Sequence, residues 1–192
     1  MNMRTFGMII ALMAILQIPA VCGIDDAGSG SKAKAVSYRV IKNDEFQSFI
    51  KNWEDKKYPA LYALIRTPAQ WDAIFHPAPV MGGNRPFAPD AKLYENEQII
   101  IVAHVIPAPD PNLTLFNIRQ IFADNDVLFI YYRFNQPEST ASYTVKSHLS
   151  LVIPKHNYKR IVFIESGKQL GILDLAQGQW SVPAMDLSGK EQ

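Results

Sequence analysis

Four histidines (His76, His104, His148 and His156) and one cysteine, Cys22, are the side chains here best suited to metal, acid–base or nucleophilic work. Their spacing assembles none of it locally. No two histidines stand in HxH or HExxH order and none neighbours the cysteine, so there is no ready-made ligand pair. No serine lies in GxSxG or SxxK, the arrangements that expose a hydroxyl on a turn or set a lysine beside it. Gly82-Gly83 lacks the lysine and following helix of a phosphate loop. The carboxylate pairs, Asp25-Asp26, Glu54-Asp55 and Asp124 with Asp126, fall in a linker, a helix end and a turn, where solvation explains them. A glycosidase needs two carboxylates held about 5–10 Å apart across a cleft. The expectation is a chain with no catalytic residue, no metal site and no cofactor.

The elements that must carry these residues are mostly strands. Gln98–Ile106 (QIIIVAHVI) is apolar on both alternating faces, the mark of a central strand covered on both sides. It sets His104 beside Ile100, Val102 and Ile106, as a satisfied core histidine. Leu113–Phe122 and Val127–Phe134 flank the turn residues Asp124-Asn125-Asp126, a hairpin signal. Tyr143–Ile153, Arg160–Glu165 and Gln169–Leu175 follow, separated by turns at Pro154–Tyr158 and Ser166-Gly167-Lys168. His148 shares a strand face with Lys146 and Ser150 and is expected in solvent. Val36–Ile41 and Tyr58–Arg66 also read as strands.

Two helices are expected before residue 97. One is capped by Asn43 or Asp44, with Phe46, Phe49, Ile50 and Trp53 at helical spacing. The other follows Thr67-Pro68-Ala69-Gln70: an N-cap, a proline at the first helical position and a capping-box glutamine. Trp71, Ile74 and Phe75 form its apolar stripe. His76 ends it, where an imidazolium meets the negative end of the dipole. Sequential strands with short connections pair antiparallel. The fold expected is α+β, mainly β, with antiparallel sandwich-like sheets and two short helices packed on one face or end. Phe129, Tyr131, Tyr132 and Phe134, with Phe116 and Phe122 opposite, serve either as core and rim packing or as a stacking platform for a ligand.

The front end reads as an export signal. Arg4 supplies a positive start, and Phe6–Leu16 is an uncharged, mostly apolar run far shorter than the roughly 20 residues of a spanning helix. A signal peptide over residues 1–23 is expected. Two fates of Cys22 fit: the lipid-bearing first residue of a mature lipoprotein, although Val21 is bulkier than that processing favours, or ordinary cleavage nearby. Under ordinary cleavage no disulfide forms within the domain. A flexible linker over 24–36, one globular domain over 37–182 and a disordered tail over 183–192 complete the organisation. Without residues 1–23 the chain carries 18 basic and 18 acidic residues. That balance argues against an extended nucleic-acid surface. A chain of this size buries about 70% of its unfolded surface, so it folds without staples.

Three stretches carry a family resemblance: LIRTPAQWDAIF (Leu64–Phe75), QIIIVAHVI, and SHLSLVIPKHNYKRIVFIE (Ser147–Glu165), the last as a closing hairpin. Together they resemble the C-terminal domain family of PrcB, an accessory subunit of a bacterial surface protease complex, over about residues 63–168. The chain departs where that family carries a Gly-Gly-Tyr-like segment, for Pro111–Phe116 stands there. The resemblance implies a β-rich domain of an exported bacterial protein and transfers no catalytic residue.

These readings converge on an exported, non-catalytic protein-binding or protease-accessory module of the cell envelope. It is expected to be periplasmic or secreted, and membrane-anchored only if Cys22 is lipidated. Its expected partner is another envelope or extracellular protein, a protease among the candidates, and not a nucleic acid. The binding surface is expected on the long loop from His76 to Asn96, through Met81, Arg85 and Phe87, flanked by the proline loop Pro107–Pro111. The alternative is a small-ligand binder for a sugar or lipid fragment, with a pocket lined by Tyr131 or Tyr132. A hydrolase would show a histidine beside a carboxylate or hydroxyl in a pocket.

Overall fold

Glu97–Pro107 is the strand on which the molecule is built, and its two faces enter two different cores. Ile99, Ile101 and Ala103 point one way, Ile100 and Val102 the other, and all five are buried. The computed structural model describes residues 33–42, 45–51, 53–78, 86–107, 113–138 and 142–185. In chain order the elements are β1 (Lys34–Ala35), β2 (Arg39–Ile41), β3 (Ser48–Ile50), β4 (Ala60–Ile65), α1 (Pro68–Ile74), β5 (Phe75–Pro77), α2 (Leu93–Asn96), β6 (Glu97–Pro107), β7 (Phe116–Asp124), β8 (Val127–Phe134), β9 (Thr144–Pro154), β10 (Arg160–Glu165), β11 (Lys168–Asp174) and β12 (Ser181–Val182).

Two five-stranded sheets stack face to face. The first has the order β1-β7-β8-β10-β11 and the second β12-β4-β6-β9-β2. Between them lie Leu64, Ile100, Val102, Leu151 and Ile153 of the second sheet, against Leu128, Ile130, Ile161, Phe163 and Leu173 of the first. The other face of the second sheet is covered by α1, α2 and the β3–β5 pair, through Trp71, Ile74, Phe75, Tyr94 and Ile50. The fold is α+β and mainly β, sandwich-like, with both helices on one face. A strand covered on both sides cannot alternate polar and apolar residues, which is why QIIIVAHVI and the buried run Leu61–Ile65 of β4 lack polar alternation.

Local chemistry explains most element boundaries. Thr67 Oγ1 accepts from the Gln70 N–H (3.2 Å), and Gln70 Oε1 accepts from the Arg66 N–H (2.7 Å), one residue before the cap. The hairpins β7–β8 and β10–β11 turn at Asn125 (φ 53°) and at Ser166-Gly167 (φ 49° and 84°). The second has both central residues left-handed, which matches the twist of its strands.

Four expectations are corrected. No helix forms between Asn43 and Trp53 among the described residues, for Ser48–Ile50 is a strand paired with β5. A helix would set Phe49 and Ile50 on one face. The strand separates them, leaving Phe49 half exposed and Ile50 buried. Pairing with the chain as it leaves α1 overrides the helical spacing. Second, Pro154–Tyr158 does not close a hairpin. It carries the chain from one sheet to the other, so β10 pairs parallel to β8 while β9 stays beside β6. Third, Lys34 and Ala35, expected in the linker, pair with Ala123 and Phe122. Fourth, Met185, expected in the tail, is buried and its N–H donates to Ser181 Oγ (2.9 Å).

Candidate functional site

A sandwich exposes the edges of its sheets, and proteins protect such edges by keeping them short, bulged or covered. Most edges here are protected. β1, β2 and β12 are two or three residues long. β7 carries an irregularity between Ile118 and Gln120, and β11 one opposite Phe163/Ile164. β4 is covered by β12 at Tyr62 and Ala63 and by the Trp180 carbonyl, which accepts from the Leu64 N–H (2.8 Å).

β9 is the exception. It pairs with β6 without a register shift from Pro154 to Thr144. On its other side β2 covers only Ser150, Leu151 and Val152. Among the described residues no strand lies beside Thr144–Leu149. That segment has no proline, so alternate N–H and C=O groups point outward with no strand to receive them.

The side chains along this edge are held by the layers above and below. Val145, Ser147 and Leu149 oppose Ile106, His104 and Val102 across the β6 ladder, on the face turned to the first sheet. Lys146 and His148 point the other way. Lys146 Nζ donates to the Trp53 carbonyl (3.1 Å) and lies 5.5 Å from that ring's centre. His148 sits edge-on to Phe75 at 5.2 Å. Burial there pushes its pKa from the ordinary 6.5 down to about 4. This corrects the expectation that His148 faces solvent: the second sheet has a covering layer that the strand pattern of β9 does not reveal.

Beneath the edge lies a polar cluster between the sheets. His104 Nε2 of β6 approaches Glu165 Oε2 of β10 at 3.2 Å. Both atoms are enclosed, but they are misaligned and neither makes a well-directed hydrogen bond. The His104 ring stacks on Phe134 at 4.3 Å and tilts against Phe116 at 5.7 Å. Behind it the Tyr62 and Tyr132 hydroxyls meet at 3.5 Å. Desolvation lowers the His104 pKa, partly offset by the nearby carboxylate, and burial raises that of Tyr132. His104 is therefore a core histidine with a carboxylate partner that carries its face of β6 toward the first sheet.

A neutral imidazole beside a carboxylate can move a proton, but it needs a nucleophile or substrate to act on. Ser147, opposite His104 in the ladder, has no hydrogen bond to it. Among the described residues no group of three or more His, Cys, Asp or Glu side chains converges to hold a metal. What the region presents is backbone: an open edge above a well-packed base.

The residues singled out in the sequence fall as follows. Met81, Arg85 and Cys22 lie outside the described residues, as does most of the loop Pro107–Pro111. Phe87 is described and half exposed. The ends of its loop are joined by one residue: the Gln47 N–H donates to the Pro86 carbonyl (2.9 Å), and the Gln47 carbonyl accepts from Ala78 (2.8 Å). The stretch expected as loop also contains β5 and α2, with Tyr94 buried. His76 ends no helix, since α1 stops at Ile74; it lies in β5, edge-on to Phe49 at 5.4 Å. His156 is exposed against Tyr158.

The aromatic strand divides by parity. Tyr132 is 1% exposed and packs in the core between the sheets. Phe129 and Tyr131 face outward and both stack on Phe122, at 5.0 and 5.7 Å. Phe122 thereby spends its ring faces on its neighbours rather than on a ligand. The open edge itself went unseen in the sequence. Its only signal, an 11-residue strand against a three-residue β2, appears once pairing is known.

No protein-family model, curated protein or solved structure matches this chain. Among the described residues no helix is long and apolar enough to cross a membrane.

Proposed function

We propose that this chain is an exported, non-catalytic protein-binding module of the bacterial cell envelope, and that it takes an extended segment of its partner as an added strand beside β9. The observation that supports this is the edge Thr144–Leu149, paired without a register shift to β6 and, among the described residues, left without a strand on its other side, where most other edges are short, bulged or covered. Strand addition derives its affinity from main-chain hydrogen bonds and its specificity from alternate side chains. The partner is a protein with an extended segment, an envelope or extracellular protein by the export signal read in residues 1–23. The sequence resemblance of Leu64–Phe75 and Gln98–Ile106 to an accessory subunit's domain favours a protease as that protein. Phe87, half exposed, is the position at which the alternative loop surface is tested.

A photo-reactive residue placed at Ser147 in the native host tests the assignment against the same residue at Phe87. Adducts at position 147 alone are expected, accompanied by slowed amide exchange at Thr144–Leu149. Adducts at position 87 alone move the binding surface to the loop. Adducts at neither position refute the proposal.

A further inference from the structure

We infer that, when no partner is bound, the open edge of β9 pairs with the same edge of a second copy of this chain, in a two-fold antiparallel ladder centred on Ser147. This rests on reading that edge as a strand-addition site, and it names the occupant.

The register follows from geometry and charge. Residues opposed in an antiparallel ladder point to the same face. A two-fold axis through the extended sheet therefore sets one residue opposite itself, with the others pairing symmetrically about it. The ladder cannot extend to Ser150, because Ile41 of β2 already occupies that position. Centring on His148 leaves only Ser147–Leu149 to pair. Centring on Val145 runs the ladder out of the strand at Tyr143. Centring on Lys146 uses Thr144–His148 but places two ammonium-bearing side chains face to face, which destabilises the pair.

Centring on Ser147 uses Val145–Leu149. It sets a small hydroxyl on the axis, matches Val145 with Leu149 of the partner, and puts Lys146 across from a histidine kept neutral by burial. The result is one continuous sheet across both copies, with the two β2 strands bounding the shared ladder at either end. The ladder is short against the ~800 Å² per partner of a standard interface, so the pairing is weak and concentration-dependent. A pairing of that strength leaves the edge available to a better-matched strand of another protein.

The test uses the full chain with Cys22→Ser, so that no other thiol is present. Sedimentation velocity across a concentration series is expected to show a monomer–dimer equilibrium. Adding Ser147→Cys is expected to give a covalent dimer on mild oxidation, since directly opposed Cβ atoms lie about 4.5–5.5 Å apart. Thr144→Cys, facing an occupied position, is expected to give none. Ser147→Lys is expected to weaken the dimer by up to about fivefold by opposing like charges, and its thermal melt reports whether it folds.

A monomer at all concentrations, with fast amide exchange at Thr144–Leu149, overturns self-pairing and leaves the edge to another protein. A monomer whose edge amides exchange slowly overturns both readings. A covalent dimer through Lys146→Cys but not Ser147→Cys overturns the register.

Discussion

Acid should weaken this protein in a way that His148 makes measurable. Its imidazole is largely withdrawn from water between β9 and the layer above, against Phe75, and its folded pKa is about 4 where a free histidine has 6.5. The folded value lies below the unfolded one, so the unfolded chain takes up the proton first as the pH falls. The stability contributed by a neutral, desolvated His148 is fully present above pH 6.5 and drains away as the pH drops toward 4. Linkage converts the difference to about 2 kcal/mol lost by pH 5 and about 3 kcal/mol by pH 4. For a domain of this size that is a fall in Tm of about 4–12 °C. The perturbation is His148→Gln, which keeps a polar side chain of similar length and cannot titrate. Urea unfolding of both proteins at half-unit steps from pH 7.5 to 4 isolates the effect, because His104, His76 and His156 remain in both. The wild-type curve should descend more steeply than the variant's below pH 6.5, and the gap should widen to about 2 kcal/mol at pH 5. Parallel curves would refute the reasoning, since they would mean that His148 reaches water easily enough to charge without unfolding.

Three further outcomes follow from contacts already described. Gly171 of β11 lies under the Tyr62 ring, where an added Cβ would meet Cδ2 at 2.6 Å; Gly171→Ala should cost about 1–3 kcal/mol in urea unfolding by pushing the two sheets apart. Thr67→Ala removes the acceptor of the Gln70 N–H and should cost about 1 kcal/mol. Glu165→Gln removes the charge that partly offsets the desolvation of His104, so its pKa should fall further. An NMR titration of the imidazole checks this, and a rise would show that the carboxylate does not act on that ring.

Much of the fold was readable because short-range chemistry and burial pattern agree there. Thr67, Pro68 and Gln70 specify where α1 begins. The absence of polar alternation in Gln98–Ile106 specifies a strand with a layer on each side, and the structure supplies both layers. What could not be read depends on which strand lies next to which. Phe46, Phe49, Ile50 and Trp53 satisfy a helical period, yet that segment meets β5 as the chain leaves α1, and backbone pairing there outweighs a spacing that local propensity alone would favour. His148 shows the same limit. Alternation in β9 distinguishes its two faces but cannot say that the polar-looking one, Lys146-His148-Ser150, is roofed by Trp53 and Phe75.

The same limit explains why the candidate site escaped the sequence while the loop around Phe87 drew attention. A loop announces itself through proline and glycine. An open edge has no composition of its own, for β9 would carry the same residues whether β2 ran three residues beside it or nine. Openness is a property of the pair, set by where β2 turns away. Lys42 is the residue at that turn: its N–H donates to Glu45 Oε2 (3.3 Å), and its carbonyl accepts from the Glu45 N–H (2.9 Å). Those two bonds tie Lys42 to Glu45 just after Ile41, where pairing with β9 ends, and among the described residues no strand lies beside Leu149 or the residues before it. The site is therefore created by a chain direction set far from it in sequence. Lengthening β2 beyond Ile41, with residues that continue the strand, should close the edge and abolish strand addition while leaving every side chain of β9 unchanged. Amide exchange at Thr144–Leu149 in such a chain should fall to the rate of the β6–β9 ladder, and persistent fast exchange there would mean that the turn does not govern the edge.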